Sequence, residues 1–402
     1  MKTRKNINVY SEIGLLKKVL IHRPGMEIEN LTPNYLQRML FDDIPFLKVA
    51  RKEHDHFARV LKENGVEVVY LEDLAAETLK DQIVKERFLD DFIGESGVRD
   101  SKVSENLKKS LMLISEKEMI SNIISGIRKS YMGLKEEEDQ YPFLTDPMPN
   151  LYFTRDSFSS IGRGISINSM KTKARKRESL FPNYIFKYHK DYRDKDIPIW
   201  YSRNEQYAIE GGDILVISKE LLVFGNSQRT DINAVLTAAE RLLSGEDTFK
   251  TILMIEIPNA RTFMHLDTVL TMVDYDKFTI HKEIEDLLKV RSVKYDMNKK
   301  ELIINDENES LEAVFSKYLE VDVKIIRCGG LDKITSAREQ WNDGANTLAI
   351  APGKVITYDR NYVTNELLVK NDISVIAIPS SELSRGRGGP RCMSMPLYRE
   401  NI

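Results

Sequence analysis

Asp213-Ile214-Leu215-Val216-Ile217 is followed, after Ser218-Lys219-Glu220, by Leu221-Leu222-Val223-Phe224-Gly225. Both runs are short, apolar and strand-like in composition. The polar residues between them suit a turn, so the stretch reads as a β-hairpin. The pattern returns in Leu348-Ala349-Ile350-Ala351, which turns at Pro352-Gly353 into Val355-Ile356-Thr357-Tyr358. Single strands are expected at 18–23, ending at Pro24-Gly25, and at 66–71, 321–326 and 373–378, the last stopped by Pro379. A helix with Pro45 in its first turn would put Phe46, Val49, Ala50, Phe57 and Leu61 on one face, and Asn64-Gly65 would end it. Such pieces recur about five times as a hairpin followed by a helix and another strand. They predict an array of α/β units rather than one open parallel sheet.

A second texture runs from about residue 74 to 142. Leu79, Ile83, Phe88 and Phe92 recur at near-helical intervals, as do Leu107, Leu111 and Ile114, then Ile120, Ile123, Ile124 and Ile127. Prolines are few there and strand-turn-strand patterns absent. The division expected is an α/β body of residues 1–73 and 143–402 with an inserted helical bundle at 74–142.

Composition narrows the class. Among 402 residues, 59 Lys and Arg against 62 Asp and Glu leave a net charge of −3, with 30% charged and 42% hydrophobic residues. That balance excludes a disordered or rod-like chain and argues against a nucleic-acid coat, which needs a basic surface. No run approaches the roughly 18 apolar residues of a membrane span. The basic start, Met1 to Asn6, is not followed by the apolar core of a secretory leader. Cys328 and Cys392 are the two cysteines of the chain. They read as free thiols in a reducing cytoplasm, and neither has a neighbouring Cys or His at zinc-ligand spacing.

Four polar segments stand out: Met148 to Asp156, Ile209-Glu210-Gly211-Gly212-Asp213, Phe263-Met264-His265-Leu266-Asp267-Thr268, and Ser384 to Pro396. Singly, each has an ordinary structural explanation. Asp156 beside Arg155 could be a salt bridge, Glu210 a turn residue, and His265 a core histidine. Cys392 could be a buried small residue. The run 386–389 lacks phosphate-loop spacing. Together the segments supply one Cys, one His, one Glu and two Asp: a nucleophile, an acid/base and a cage of carboxylates. Paired carboxylates suit a guanidinium, whose five N–H donors lie in a fixed plane. His265 and Asp267, two residues apart, would face one side if they lay on a strand.

In order and spacing these segments resemble the arginine deiminase family, over essentially the whole chain through to Cys392-Met393-Ser394-Met395-Pro396. The resemblance implies the five-bladed pentein α/β propeller of guanidine-modifying enzymes, with a helical insertion. It implies hydrolysis of L-arginine to L-citrulline and ammonia, the first step of arginine catabolism, through an S-alkylthiouronium adduct and with no metal or organic cofactor. Cys392 would be the nucleophile, His265 and Glu210 the acid/base pair, and Asp156 and Asp267 the guanidinium ligands. Asn150, Arg175, Arg229 and Arg387 would bind the amino-acid end, with Phe153 and Gly386 in the pocket wall. Arg391, before the cysteine, stands where members vary. A cytoplasmic homo-oligomer is expected, without nucleic-acid or membrane partners. Rival readings are a dimethylarginine hydrolase, an amidinotransferase, a non-catalytic pentein and an inactive arginine-binding paralogue.

Overall fold

In the computed structural model the described residues are 7–135, 141–245, 247–259 and 261–402. The basic stretch Met1 to Asn6 and residues 136–140 of the inserted segment lie outside them.

The opening hairpin forms as Ile214–Val216 and Leu221–Asn226, paired antiparallel. Helix Ile232–Ser244 follows, and Thr251–Glu256 then pairs parallel to the second hairpin strand. Almost every side chain of these strands is buried. Both faces are covered, which is why the runs are apolar without alternation. The same order, hairpin then helix then parallel strand, appears in three more places. Phe158–Ile161 and Gly164–Ile167 are joined by Ile199–Tyr201. Leu270–Asp274 and Lys277–Ile280 are joined by Lys324–Arg327. Leu348–Ala351 and Lys354–Tyr358 are joined by Ser374–Ile378. A fifth unit borrows a strand from the far end of the chain. Leu16–Ile21 pairs parallel to Glu67–Tyr70 and antiparallel to Met395–Arg399.

The inserted segment forms helices Leu71–Thr78, Gln82–Ser96, Ser101–Leu113 and Glu116–Ser125. Asp81, Asp100 and Ser115 cap the last three through their side chains, each accepting an N–H of the first turn. Phe88, Phe92, Leu107, Leu111, Ile120 and Ile123 share one core with Phe181 and Ile185 of helix Leu180–Tyr188 and with Leu20 and Met395 of the body.

Four local expectations change. The early helix is Leu47–Glu63, starting after Pro45, and Phe46 is 57% exposed. The Phe46 amide is held by the Glu382 carboxylate at 2.8 Å, which turns its side chain off the buried face of Ala50, Phe57 and Leu61. Ile83 is 63% exposed because the Asp81 cap starts a new helix between it and Leu79. The bundle segment ends in a small antiparallel pair, Ile127–Arg128 with Phe143–Thr145. A further hairpin, Lys289–Asp296 and Glu301–Glu307, extends the sheet of Thr251–Glu256, and its mostly exposed outer strand carries only the three-residue apolar run Leu302-Ile303-Ile304.

Candidate active site

The four polar segments come from different units and meet in the interior. Asp156 sits in the short helix Thr154–Ser157, whose backbone is tied to the cysteine loop by Arg155 N donating to Cys392 O at 3.1 Å. Its Oδ2 accepts from Arg175 Nη1 at 2.6 Å, while its buried Oδ1 has no hydrogen-bond partner among the described residues. Asp267 is arranged alike. Its Oδ2 accepts from Arg391 Nη1 at 2.7 Å and lies 3.5 Å from Cys392 Sγ, and its Oδ1 is buried without a hydrogen bond among the described residues. Two buried carboxylates therefore each keep one oxygen without a hydrogen bond among the described residues. A desolvated acceptor without a donor costs on the order of 1–3 kcal/mol or more. A planar cation would remove that penalty at both.

His265 and Asp267 are not on a strand. His265 precedes the 3-10 turn Leu266–Thr268, and the turn is pinned by Leu266 N donating to Asp213 Oδ1 at 2.8 Å. The turn, rather than strand alternation, brings both side chains into the interior, where each is at most 3% exposed. His265 Nε2 lies 2.8 Å from Glu210 Oε2, and Nδ1 lies 3.8 Å from Asp156 Oδ1. Gly212 makes room for this ring, since a Cβ there would lie 2.7 Å from it. Burial disfavours the charged ring, but Asp156, the Glu210 hydrogen bond and Asp213 outweigh it and raise His265 to about 9. Burial likewise works against the Glu210 carboxylate, yet Arg229, His265 and Arg175 hold it down at about 2. The pair is thus an ion pair at neutral pH, with the proton on the ring.

Cys392 is 3% exposed. Its amide donates to Asn346 Oδ1 at 3.0 Å, and Asn346 Nδ2 reaches Sγ at 3.1 Å and Asp267 O at 3.0 Å. Burial, then Asp267, Asp156 and Asp343, push the thiol well above its ordinary range, and Arg391 opposes them only in part. Burial and these carboxylates favour the protonated thiol.

Around this centre lie the residues expected at the amino-acid end. Arg175, which the sequence could equally place on the surface, is buried and holds Glu178 through Nε and Nη2 as well as Asp156 through Nη1. Its Nη2 also reaches Asn150 O at 3.3 Å. Asn150 Nδ2 donates to Met39 O at 2.7 Å. Arg229 Nη1 is 3.5 Å from Glu210 Oε2. A side chain on Gly388 would collide with the ring of Phe153, and one on Gly386 with the Tyr152 hydroxyl. Arg387, between them, is buried in the same loop.

Three polar contributors have no role assigned from the sequence. Arg391 joins Asp267 to Glu12, with Nε and Nη2 on the Glu12 carboxylate at 3.1 and 3.0 Å. Its adjacency to the cysteine is the available signal. Asp213 closes the Glu210-Gly-Gly motif, and its tie to the His265 turn follows from the hairpin it begins. Asn346 lies in a turn that nothing in the sequence distinguishes.

Asp156, Glu210 and His265 present ligand atoms within 4.8 Å of one another. The Arg175 guanidinium already stands 2.6 Å from Asp156 and 3.9 Å from Glu210. Its positive charge takes the place a divalent ion would need.

Among solved structures, the fold matches an amidinotransferase of the saxitoxin pathway from Microseira wollei over 98% of each chain, with a TM-score of 0.55 and 15% identity. It also matches a dimethylarginine dimethylaminohydrolase carrying an S-methyl-L-thiocitrulline adduct over 95% of this chain and 99% of that one, with a TM-score of 0.52 and 13% identity. The architecture is thus the mixed α/β fold of these proteins. Sequence narrows it further. The arginine deiminase family pattern matches residues 37–399. Arginine deiminases from Clostridium perfringens (strain SM101 / Type A) and Borrelia duttonii (strain Ly) are 54% and 51% identical to the chain, each over the full length of both proteins. The arginine deiminase of Staphylococcus haemolyticus (strain JCSC1435) is 50% identical, again over the full length of both. The chain belongs to the arginine deiminase family.

Proposed function

We propose that this chain hydrolyses L-arginine to L-citrulline and ammonia through a covalent adduct on Cys392. The observation that carries the reading is the pair of buried carboxylates, Asp156 and Asp267, each with one oxygen that makes no hydrogen bond among the described residues, both acting on a buried thiol. A guanidinium laid between them is held planar, and its charge is offset. Burial first, and then the nearby carboxylates, hold the Cys392 thiol up, and a bound cation offsets the carboxylates' part. The thiol proton passes to solvent as the cation settles, and the thiolate attacks the central carbon. The tetrahedral centre expels ammonia, which takes the proton from His265. An S-alkylthiouronium remains on Cys392. Neutral His265 then accepts a proton from the attacking water, the centre collapses, and citrulline leaves with the sulfur restored. Glu210 orients the ring and favours its charged form.

Asn150, Arg175, Arg229 and Arg387 are assigned to the carboxylate and amino end of the substrate, with Phe153 and Gly386 as wall. The five hairpin-helix-strand units are read as the five blades of a pentein propeller. Residues 1–73 and 143–402 are read as the catalytic body and 74–142 as its inserted bundle. A cytoplasmic homo-oligomer acting on a small molecule is the assembly proposed. In support, no helix among the described residues is long and apolar enough to cross a membrane, and the net charge of −3 is no overall basic excess. Incubation with L-arginine should yield citrulline and ammonia in equal amounts. Absence of either product would overturn the assignment.

A further inference from the structure

Arg387 carries an unusual burden. It adopts a left-handed backbone, φ 64°, between Gly386 and Gly388. Its side chain is buried, and Nε and Nη1 make no hydrogen bond among the described residues. A carboxylate oxygen, Asp42 Oδ2, stands 4.0 Å from Nη1, beyond hydrogen-bond reach. What the guanidinium does touch is the ring of Trp341, with Cζ 3.6 Å from the ring centroid. That is the stacking range of a cation–π contact, and a planar guanidinium stacks on an indole with its N–H edges left free.

Trp341 ends helix Lys333–Trp341, and the residues just before it are fixed. The Glu339 carboxylate accepts the amides of Val363 and Thr364, each at 2.8 Å. Gln340 Nε2 donates to Thr268 O at 2.8 Å, on the turn that carries His265 and Asp267. The indole is itself 50% exposed, so the core does not require it. An exposed indole on a clamped helix end, stacked on a buried guanidinium with two nitrogens left without hydrogen bonds, is a support for that guanidinium.

We infer that Trp341 is a positioning residue: it presents Arg387 edge-on to the α-carboxylate of the substrate and so favours guanidines that carry one. The inference rests on the assignment of Arg387 to that carboxylate. Trp341 touches neither the reacting carbon nor the thiol in this scheme, so its loss should act on binding and not on the chemical step.

The test is steady-state turnover of L-arginine by Trp341→Ala, Trp341→Phe, Trp341→Leu, Arg387→Ala and the double variant Arg387→Ala/Trp341→Ala, each checked for an unchanged thermal transition. A cation–π contact whose indole is half exposed corresponds to about a five- to tenfold rise in KM for Trp341→Ala, with kcat kept. Phe should recover most of the loss, because it keeps the π-face. Leu should recover little. In the Arg387→Ala background, removing Trp341 should cost nothing more in kcat/KM, because the indole acts only through that arginine. Penalties that multiply in the double variant, a fall in kcat, or rescue by Leu equal to that by Phe would each overturn the inference. An unsubstituted enzyme that makes no citrulline would overturn the functional reading beneath it, a different result from wild-type turnover with unchanged variants.

Discussion

Replacing Asp156 by Asn keeps the shape of the pocket and removes one charge from it. That charge faces Arg175 Nη1 at 2.6 Å and His265 Nδ1 at 3.8 Å, and it also opposes ionisation of Cys392. Arg175 stays paired with Glu178 in the variant, so the fold should hold. The substrate guanidinium then finds Asp267 alone. A buried ion pair with one partner missing costs on the order of 3 kcal/mol or more, about a hundredfold in kcat/KM. A second consequence runs the other way. With Asp156 neutral, the thiol is easier to ionise, so alkylation of Cys392 by iodoacetamide at a fixed pH should speed up while turnover falls. A third follows from the histidine. The His265 ring, raised to about 9, keeps its proton below that pH and loses it above, and Asp156 is the largest of the groups holding it up. The alkaline limb of the pH–rate profile should therefore lie near 9 in the parent and move to lower pH in Asp156→Asn. The assays are citrulline formation across pH and the rate of thiol alkylation. Near-normal turnover, or turnover and alkylation falling together, would refute the placement of Asp156 between substrate and thiol.

Acid quenching during turnover should trap a mass of arginine less ammonia on the peptide containing Cys392. Cys392→Ser should lose nearly all activity, and Cys328→Ser should keep most of it. Cys328 is fully buried, its thiol pushed up to about 12, first by burial and then by Glu339, so a label mapping there would contradict the assignment. EDTA should leave the rate unchanged, because Arg175 supplies the positive charge beside Asp156 and Glu210. A loss on chelation that a divalent ion restores would show otherwise. Gly212→Ala should cut kcat by about tenfold or more, since its methyl would lie 2.7 Å from the His265 ring; a misplacement of about 1 Å in a reacting group costs about a hundredfold. An unaffected kcat would mean that the ring is not held where the chemistry needs it.

The sequence reveals structure where burial on both faces forces a continuous apolar run. Leu221 to Phe224 and Val355 to Tyr358 are such places. It is silent on Glu301–Glu307, an edge strand whose side chains are mostly exposed. Leu79 and Ile83 share a helical spacing, yet they belong to different segments. The chain breaks between them, and the capping residue Asp81 is the local sign of that break. The chemical residues are legible as types and by resemblance. Their partners are not. Arg391 and Asp267 are 124 positions apart, and Asn346 and Cys392 are 46 apart. No local pattern encodes a contact of that span. The strand reading of His265 and Asp267 fails for a related reason: Asp213, 53 positions before Leu266, holds that segment in a turn.

Met395–Arg399 lies beside Leu16–Ile21, and Cys392 comes just before that final strand. During synthesis, every other unit can gather its strands before these residues leave the ribosome. The first cannot, because its antiparallel neighbour is made last. Closing so long a loop costs little more free energy than closing a loop half the length, since the penalty grows only with the logarithm, but it has to wait for translation. The nucleophile is therefore delivered and locked by one late event. A nascent chain that already holds His265 against Glu210 is still chemically inert. A ribosome stalled before the Cys392 codon would leave the His265–Glu210 pair with no nucleophile to serve.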